Sequence, residues 1–249
     1  MATLSACGPG TDDVREQVEQ LRADYRREVR DLEVRQTAMH GSTNGEIQVF
    51  KKGDKFHTRL AGPVFNTKSK PGEEVLNETD RLVIHVIYDG RAYWRLMPGD
   101  GLSQINAQDA AAFTFRLFWW EGDLQGMRLA GQETVEGREC YVLEFRNSRS
   151  SFERLWADRR SLALVKANIK GPGGKALELW GSSYRTIAGR FEMPWRVELL
   201  DNGKLVGYIR TTEVLVNQGV DDAEFDPRQT PVPRPTKEEI LNGLFPESK

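Results

Sequence analysis

Between Leu129 and Pro227 large apolar residues recur at every second position, and turn-forming residues separate the runs. Phe191, Met193, Trp195, Val197 and Leu199 alternate with Glu192, Pro194, Arg196, Glu198 and Leu200. Successive side chains of a strand point to opposite faces, so this run predicts a strand with one apolar face and one mostly polar face. Asn202-Gly203 follows, a pair that accepts the positive φ of a two-residue hairpin turn. Residues 204–216 then return as the partner strand. The same pattern runs through 163–170 and, past Gly171-Pro172-Gly173-Gly174, through 175–184. Glu136-Gly137 parts 129–135 from 138–146, and Asp89-Gly90 joins 82–88 to 91–97. With 46–50, 55–60 and 152–157 the chain offers about eleven strands, spaced as a meander and not as βαβ units. A two-sheet sandwich and an open barrel both satisfy this periodicity.

Two segments break the β pattern. From Asp12 to about Met39, Val14, Val18, Leu21, Tyr25, Val29 and Leu32 form one stripe at a period near 3.6. Thr11-Asp12-Asp13 supplies caps and places acid at the positive end of the helix dipole. A helix of that length spans roughly 40 Å, enough to lie across a sheet. The second segment, Gln104 to Glu121, carries Ala110, Ala111, Ala112, Phe113, Phe115, Leu117, Phe118, Trp119 and Trp120. A helix apolar nearly all round must be buried or face something apolar. It predicts either a permanent plug in a barrel or a lid over a hydrophobic cavity.

Composition narrows the picture. With 249 residues, 39% of them hydrophobic, the chain can bury the core of one large β domain. The net charge is −2, with basic and acidic residues intermixed, so nothing points to nucleic acid. The organisation expected is a tether over 1–10, one domain over 11–227 and a proline-rich tail over 228–249 with a short helix at 237–244. Residues 62–79 read as a polar loop at the barrel rim.

Leu4-Ser5-Ala6-Cys7 fits a bacterial lipobox: an aliphatic residue, two small residues, then the cysteine that is acylated. Gly8-Pro9-Gly10 would be a flexible tether. Only Met1 to Ala6 precede Cys7, without the charged and apolar regions of a signal peptide. The expectation is a lipid anchor on Cys7 with the signal peptide truncated from the recorded start. Cys140 reads as a small buried hydrophobe in a strand.

No catalytic arrangement emerges. His40, His57 and His85 lack metal-ligand spacing, and there is no nucleophile elbow or P-loop. Asp221, Asp222, Glu224 and Asp226 do not fit an EF-hand loop and read as a solvated acidic turn. No cofactor, metal or enzymatic activity is expected.

At this point the chain resembles a known family. Ile87-Tyr88-Asp89-Gly90 with Tyr93-Trp94 and Pro98 is similar to the signature hairpin of LolA-like outer-membrane lipoprotein-sorting proteins. Gly137 to Leu143, with Cys140-Tyr141, resembles their following strand. Leu155-Trp156-Ala157-Asp158 with Leu164-Val165-Lys166 resembles a third motif, without its proline. Tyr184-Arg185, Gly189, Met193-Pro194, Val216 to Val220 and Phe225-Asp226-Pro227 extend the likeness over about Asp12 to Pro227.

The resemblance implies a mainly β (α+β) fold: a half-open antiparallel barrel of eleven strands, an N-terminal helix across it and inner helices closing one side. It implies a non-enzymatic periplasmic carrier or acceptor for the acyl chains of lipoproteins or phospholipids, with a transporter or acceptor protein as possible partner. Cys7 would fit the lipid-anchored subgroup at the outer membrane. The candidate lining is Trp94, Phe115, Phe118, Trp119, Leu143, Trp156, Trp180 and Trp195. Taken singly, each also fits an ordinary core. A lipid-sensing regulatory or protein-interaction lipoprotein on the same fold is the alternative.

Overall fold

The computed structural model describes residues 10–40, 43–63, 81–98, 100–111, 117–146, 152–171 and 174–231. Cys7, Phe115, residues 64–79 of the rim loop and the expected tail helix lie outside them. One long helix, α1 (Thr11–Glu28), leads into β1 (Asp31–His40), β2 (Thr43–Lys52), β3 (Lys55–Pro63), β4 (Arg81–Tyr88), β5 (Tyr93–Met97) and β6 (Gly101–Ile105). A short helix α2 (Ala107–Ala111) follows. Then come β7 (Met127–Val135), β8 (Arg138–Phe145), β9 (Phe152–Asp158), β10 (Leu164–Lys170), β11 (Ala176–Ile187), β12 (Phe191–Asp201) and β13 (Lys204–Val216). The strand order is β6-β5-β4-β3-β2-β1-β13-β12-β11-β10-β9-β8-β7, an open sheet with β6 and β7 at its ends. All the expected strands are present. Their tight turns carry the anticipated positive φ, at Glu136 (47°) and Gly137 (78°) and at Asn202 (49°) and Gly203 (76°).

Three expectations need correction. The sheet has thirteen strands, not eleven, because β1 and β6 were not anticipated. The N-terminal helix stops at Glu28, about 27 Å from its start, and residues 31–40 are extended. Val29 and Leu32 continue the helical spacing by coincidence. From Leu32 onward the period is two: Leu32, Val34 and Gln36 are buried, and Glu33, Arg35 and Thr37 alternate with them. β1 pairs with β13 on one side and β2 on the other, so ladder hydrogen bonds on both sides outweigh helix propensity. The second segment is not one helix across 104–121. Residues 101–105 are strand, α2 has five residues, and Trp119–Glu121 forms a single 3-10 turn.

Contacts divide the chain into two compact units, Met1–Glu28 with Arg116–Val206, and Val29–Phe115 with Gly207–Lys249. In the first, α1 packs on one face of the sheet. Val14 and Val18 are fully buried, and the Tyr25 ring stands against Phe118, Trp120 and Phe191 at 5.2–5.4 Å. Arg22 donates to the carbonyl oxygens of Trp120 and Gly122, which ties the Leu117–Leu124 segment to the helix. Trp119 Nε1 donates to the Leu162 carbonyl at 2.6 Å. At Gly181 a side chain would collide with the Leu164 carbonyl, since a Cβ there would sit 2.4 Å from its oxygen.

In the second unit the sheet has two different faces. One holds Phe56, Val86 and Ala110, with Ile84, Tyr88, Tyr93 and Ile105 packed around them. The other holds His57 and His85, covered by a 3-10 turn at Asp222–Phe225. Asp222 is held by Lys52 and Lys55 at 3.0 and 3.2 Å, and Phe225 is buried. The acidic turn is therefore tied to the sheet by ion pairs.

Candidate ligand-binding face

Register decides which apolar side chains of the first unit share a face, because directly paired residues point the same way. Leu143 pairs with Leu155, Leu155 with Ala167, Ala167 with Leu179, and Leu179 with Leu199. Ile169 pairs with Leu177, two residues from Leu179. Along β12, Leu199, Val197, Trp195, Met193 and Phe191 alternate on this same face, which is the one α1 covers through Tyr25 and Phe191. Burial falls along it. Phe191, Met193, Leu143, Leu155 and Ala167 are buried, while Trp195, Val197, Leu199, Leu177, Leu179 and Ile169 are half-buried. The result is a continuous apolar strip over β10, β11 and β12 that is only partly covered.

The eight expected lining residues divide. Leu143 and Trp195 lie on the strip's face, and the Arg185 guanidinium stands 4.6 Å from the Trp195 ring centroid. Phe118 and Trp119 are buried in the segment that α1 holds. Trp156 and Trp180 are on the opposite face, because each pairs with Lys166. The Lys166 ammonium lies over both rings, at 5.2 and 4.6 Å, and the indole N–H groups donate to Glu133 and Glu178. Trp94 is in the second unit, on the face opposite the Phe56–Val86 cluster, and donates to Asp89 at 3.0 Å. Phe115 is outside the described residues. The structure therefore groups Leu143 and Trp195, adds Ile169, Leu177, Leu179, Val197 and Leu199, and separates the other tryptophans from them. The strip residues are legible only through the pairing of strands, since large size alone favours tryptophan.

The opposite face of the first unit carries a polar cleft of about 590 Å³ lined by Arg138, Asp158, Arg160, Ser161, Arg190 and Glu192 among others. Arg138 bridges Asp158 and Glu192 at 3.1 and 2.9 Å and stacks 3.7 Å from the Tyr184 ring centroid. Burial pulls the Asp158 carboxyl upward. Hydrogen bonds from the Ser161 and Arg160 N–H groups and the Ser161 hydroxyl, with the charge of Arg138, outweigh it and hold Asp158 below the usual carboxylate range. Burial likewise raises Glu192 less than Arg138 and Ser161 lower it. Two carboxylates kept ionised and fully hydrogen-bonded make a structural clamp and a poor general acid.

In the second unit His57 Nε2 and His85 Nδ1 are 2.8 Å apart, and His57 Nδ1 lies 3.4 Å from Glu224. Burial pushes both imidazoles down to about 4. Among the described residues no group of three or more His, Cys, Asp or Glu is arranged to hold a metal ion. Among them, too, no helix is long and apolar enough to cross a membrane.

No family model and no curated protein matches the chain. Solved structures do. A DUF1329 family protein from Desulfovibrio piger is 14% identical and superimposes with a TM-score of 0.55 over 85% of this chain and 96% of its own. A Vibrio parahaemolyticus domain named for outer membrane lipoprotein sorting is 10% identical, with a TM-score of 0.56 over 86% of this chain and 97% of its own. A LolA superfamily protein from Nitrosomonas europaea is 14% identical, with a TM-score of 0.53 over 88% and 98%. The fold is LolA-like.

Proposed function

We propose that this chain is a non-enzymatic carrier or acceptor that binds acyl chains of lipoproteins or phospholipids in the periplasm. A lipid on Cys7 holds it at the periplasmic face of a membrane, most naturally the outer one. The half-buried strip of Ile169, Leu177, Leu179, Trp195, Val197 and Leu199 carries this reading. A surface apolar over three adjacent strands and only partly covered favours an apolar occupant. The names of the Vibrio and Nitrosomonas structures support the same class. Each buried methylene contributes about 0.8 kcal/mol. Ten of them give roughly 8 kcal/mol, against an association cost of several kcal/mol, so one chain binds weakly and two or three bind strongly.

Displacement of a fluorescent fatty-acyl probe tests the proposal. Wild-type protein should bind the probe, and Leu179→Asp, which puts a charge in the middle of the strip, should abolish binding while keeping the β-type circular dichroism spectrum. A folded Leu179→Asp protein with wild-type probe affinity would contradict it.

A further inference from the structure

The apolar strip of the first unit carries charge at both ends, and the two ends differ. Asp201 lies two residues beyond Leu199, Lys175 lies two residues before Leu177, and the two pair with each other. Charge cancels at that end. At the other end stands Arg185. It pairs with Met193 in the β11–β12 ladder, so it shares the face of Met193, Trp195, Val197 and Leu199. Its guanidinium lies 4.6 Å from the Trp195 ring centroid. The other cations that lie over tryptophans in this unit each hold a carboxylate. Arg154, over Trp156, pairs with Glu144 at 2.6 Å, and Lys166, over Trp156 and Trp180, pairs with Glu178 at 3.4 Å. Arg185 is exposed, and among the described residues no carboxylate pairs with it.

A guanidinium lying over an indole keeps N–H donors for an oxyanion, and the fork suits phosphate oxygens. From Trp195 to Leu199 the strip runs about 13 Å along β12, and across β10, β11 and β12 it is about 10 Å wide. That width takes two hydrocarbon chains side by side, the number that turns weak acyl binding into strong binding. The cation at one end then sets the direction in which they lie. We infer that the strip takes a phospholipid, with its two acyl chains along β10–β12 and its phosphodiester on Arg185. This rests on the acyl-binding reading and narrows it to one of its two ligand classes, since the ester, thioether and amide groups that join acyl chains to a lipoprotein bear no charge.

The test compares dioctanoylphosphatidylglycerol with dioctanoylglycerol, which has the same chains and no phosphate, by displacement of a fluorescent acyl probe from the full chain. Wild type should prefer the phospholipid about tenfold, and added salt should shrink that preference. Arg185→Gln should weaken phospholipid binding about tenfold and leave dioctanoylglycerol binding within twofold, and Arg185→Lys should keep most of the preference. The phosphorus resonance of the bound phospholipid adds a readout that lost packing would not move. It should differ between wild type and Arg185→Gln. Equal binding of the two lipids by wild type, or a preference and a phosphorus resonance unchanged in Arg185→Gln, would overturn the assignment while leaving acyl binding in place. A wild type that binds neither lipid would overturn the acyl-binding reading as well, and this site with it.

Discussion

The Tyr25 ring of the N-terminal helix stands edge-on to the Phe191 ring of β12, with centroids 5.2 Å apart and planes at 89°. Phe118 and Trp120, stacked at 4.4 Å, complete the contact. This joins three distant parts of the chain, so the helix is a structural part of the first unit. Tyr25→Ala removes a ring that is 8% exposed and should cost about 3–5 kcal/mol. Denaturant unfolding of the variant checks it. A loss under 1 kcal/mol would mean that the helix contributes little to the fold.

The buried histidine pair predicts an acid-sensitive second unit. His57 and His85 are held near 4 by burial, against an ordinary value of 6.5. Around them stand Phe50, Arg59 and Glu224. The folded state binds these protons less readily than the unfolded chain, so the stabilisation is complete above about 6.5 and lost as pH falls towards 4. At pH 5 the loss is on the order of 2 kcal/mol per histidine. Unfolding free energies at pH 7 and pH 5 should differ by more in wild type than in His85→Gln. Equal pH dependence would show that other groups govern acid stability.

Arg138 should matter for stability and not for ligand. It bridges Asp158 and Glu192, whose charges remain if it is removed. Arg138→Met should cost about 2–3 kcal/mol, since hydrogen bonds to charged groups contribute about that much. Acyl-probe affinity of the folded variant should stay within twofold, because the clamp lies on the face opposite the apolar strip. A large affinity loss at unchanged stability would move the binding site to the polar cleft.

The two tryptophan faces give the sharpest contrast. Trp180→Ala removes a large ring from the Lys166 face and should leave probe affinity within twofold. Leu199→Asp removes a smaller side chain from the strip and should reduce affinity at least tenfold. Isothermal titration of both variants with one fatty acid decides it. The reverse order would place the ligand on the tryptophan face.

That contrast also shows what was legible in the chain. Alternation and turn chemistry carry the strands from β7 to β13, because half-buried strands of an antiparallel sheet must alternate. The β1 strand was hidden because Val29 and Leu32 fall on the helical stripe begun at Val14. The β6 strand is short, with Leu102 and Gln104 exposed, and its residues lie beside an alanine- and aromatic-rich run that suggests a helix. The candidate site was half legible. Large aromatic residues mark apolar surface, and Trp195 and Leu143 are on it. Which face a tryptophan occupies depends on strand pairing, and the register puts Trp156 and Trp180 on the other side, with Lys166 over both rings.

The most direct measurement is native mass spectrometry of the Cys7→Ser protein, purified without detergent. The account predicts a bound mass in the range of a phospholipid or an acylated peptide, lost in Leu179→Asp. An empty protein that also ignores added fatty-acyl probes would contradict acyl binding and make the apolar strip part of an ordinary core.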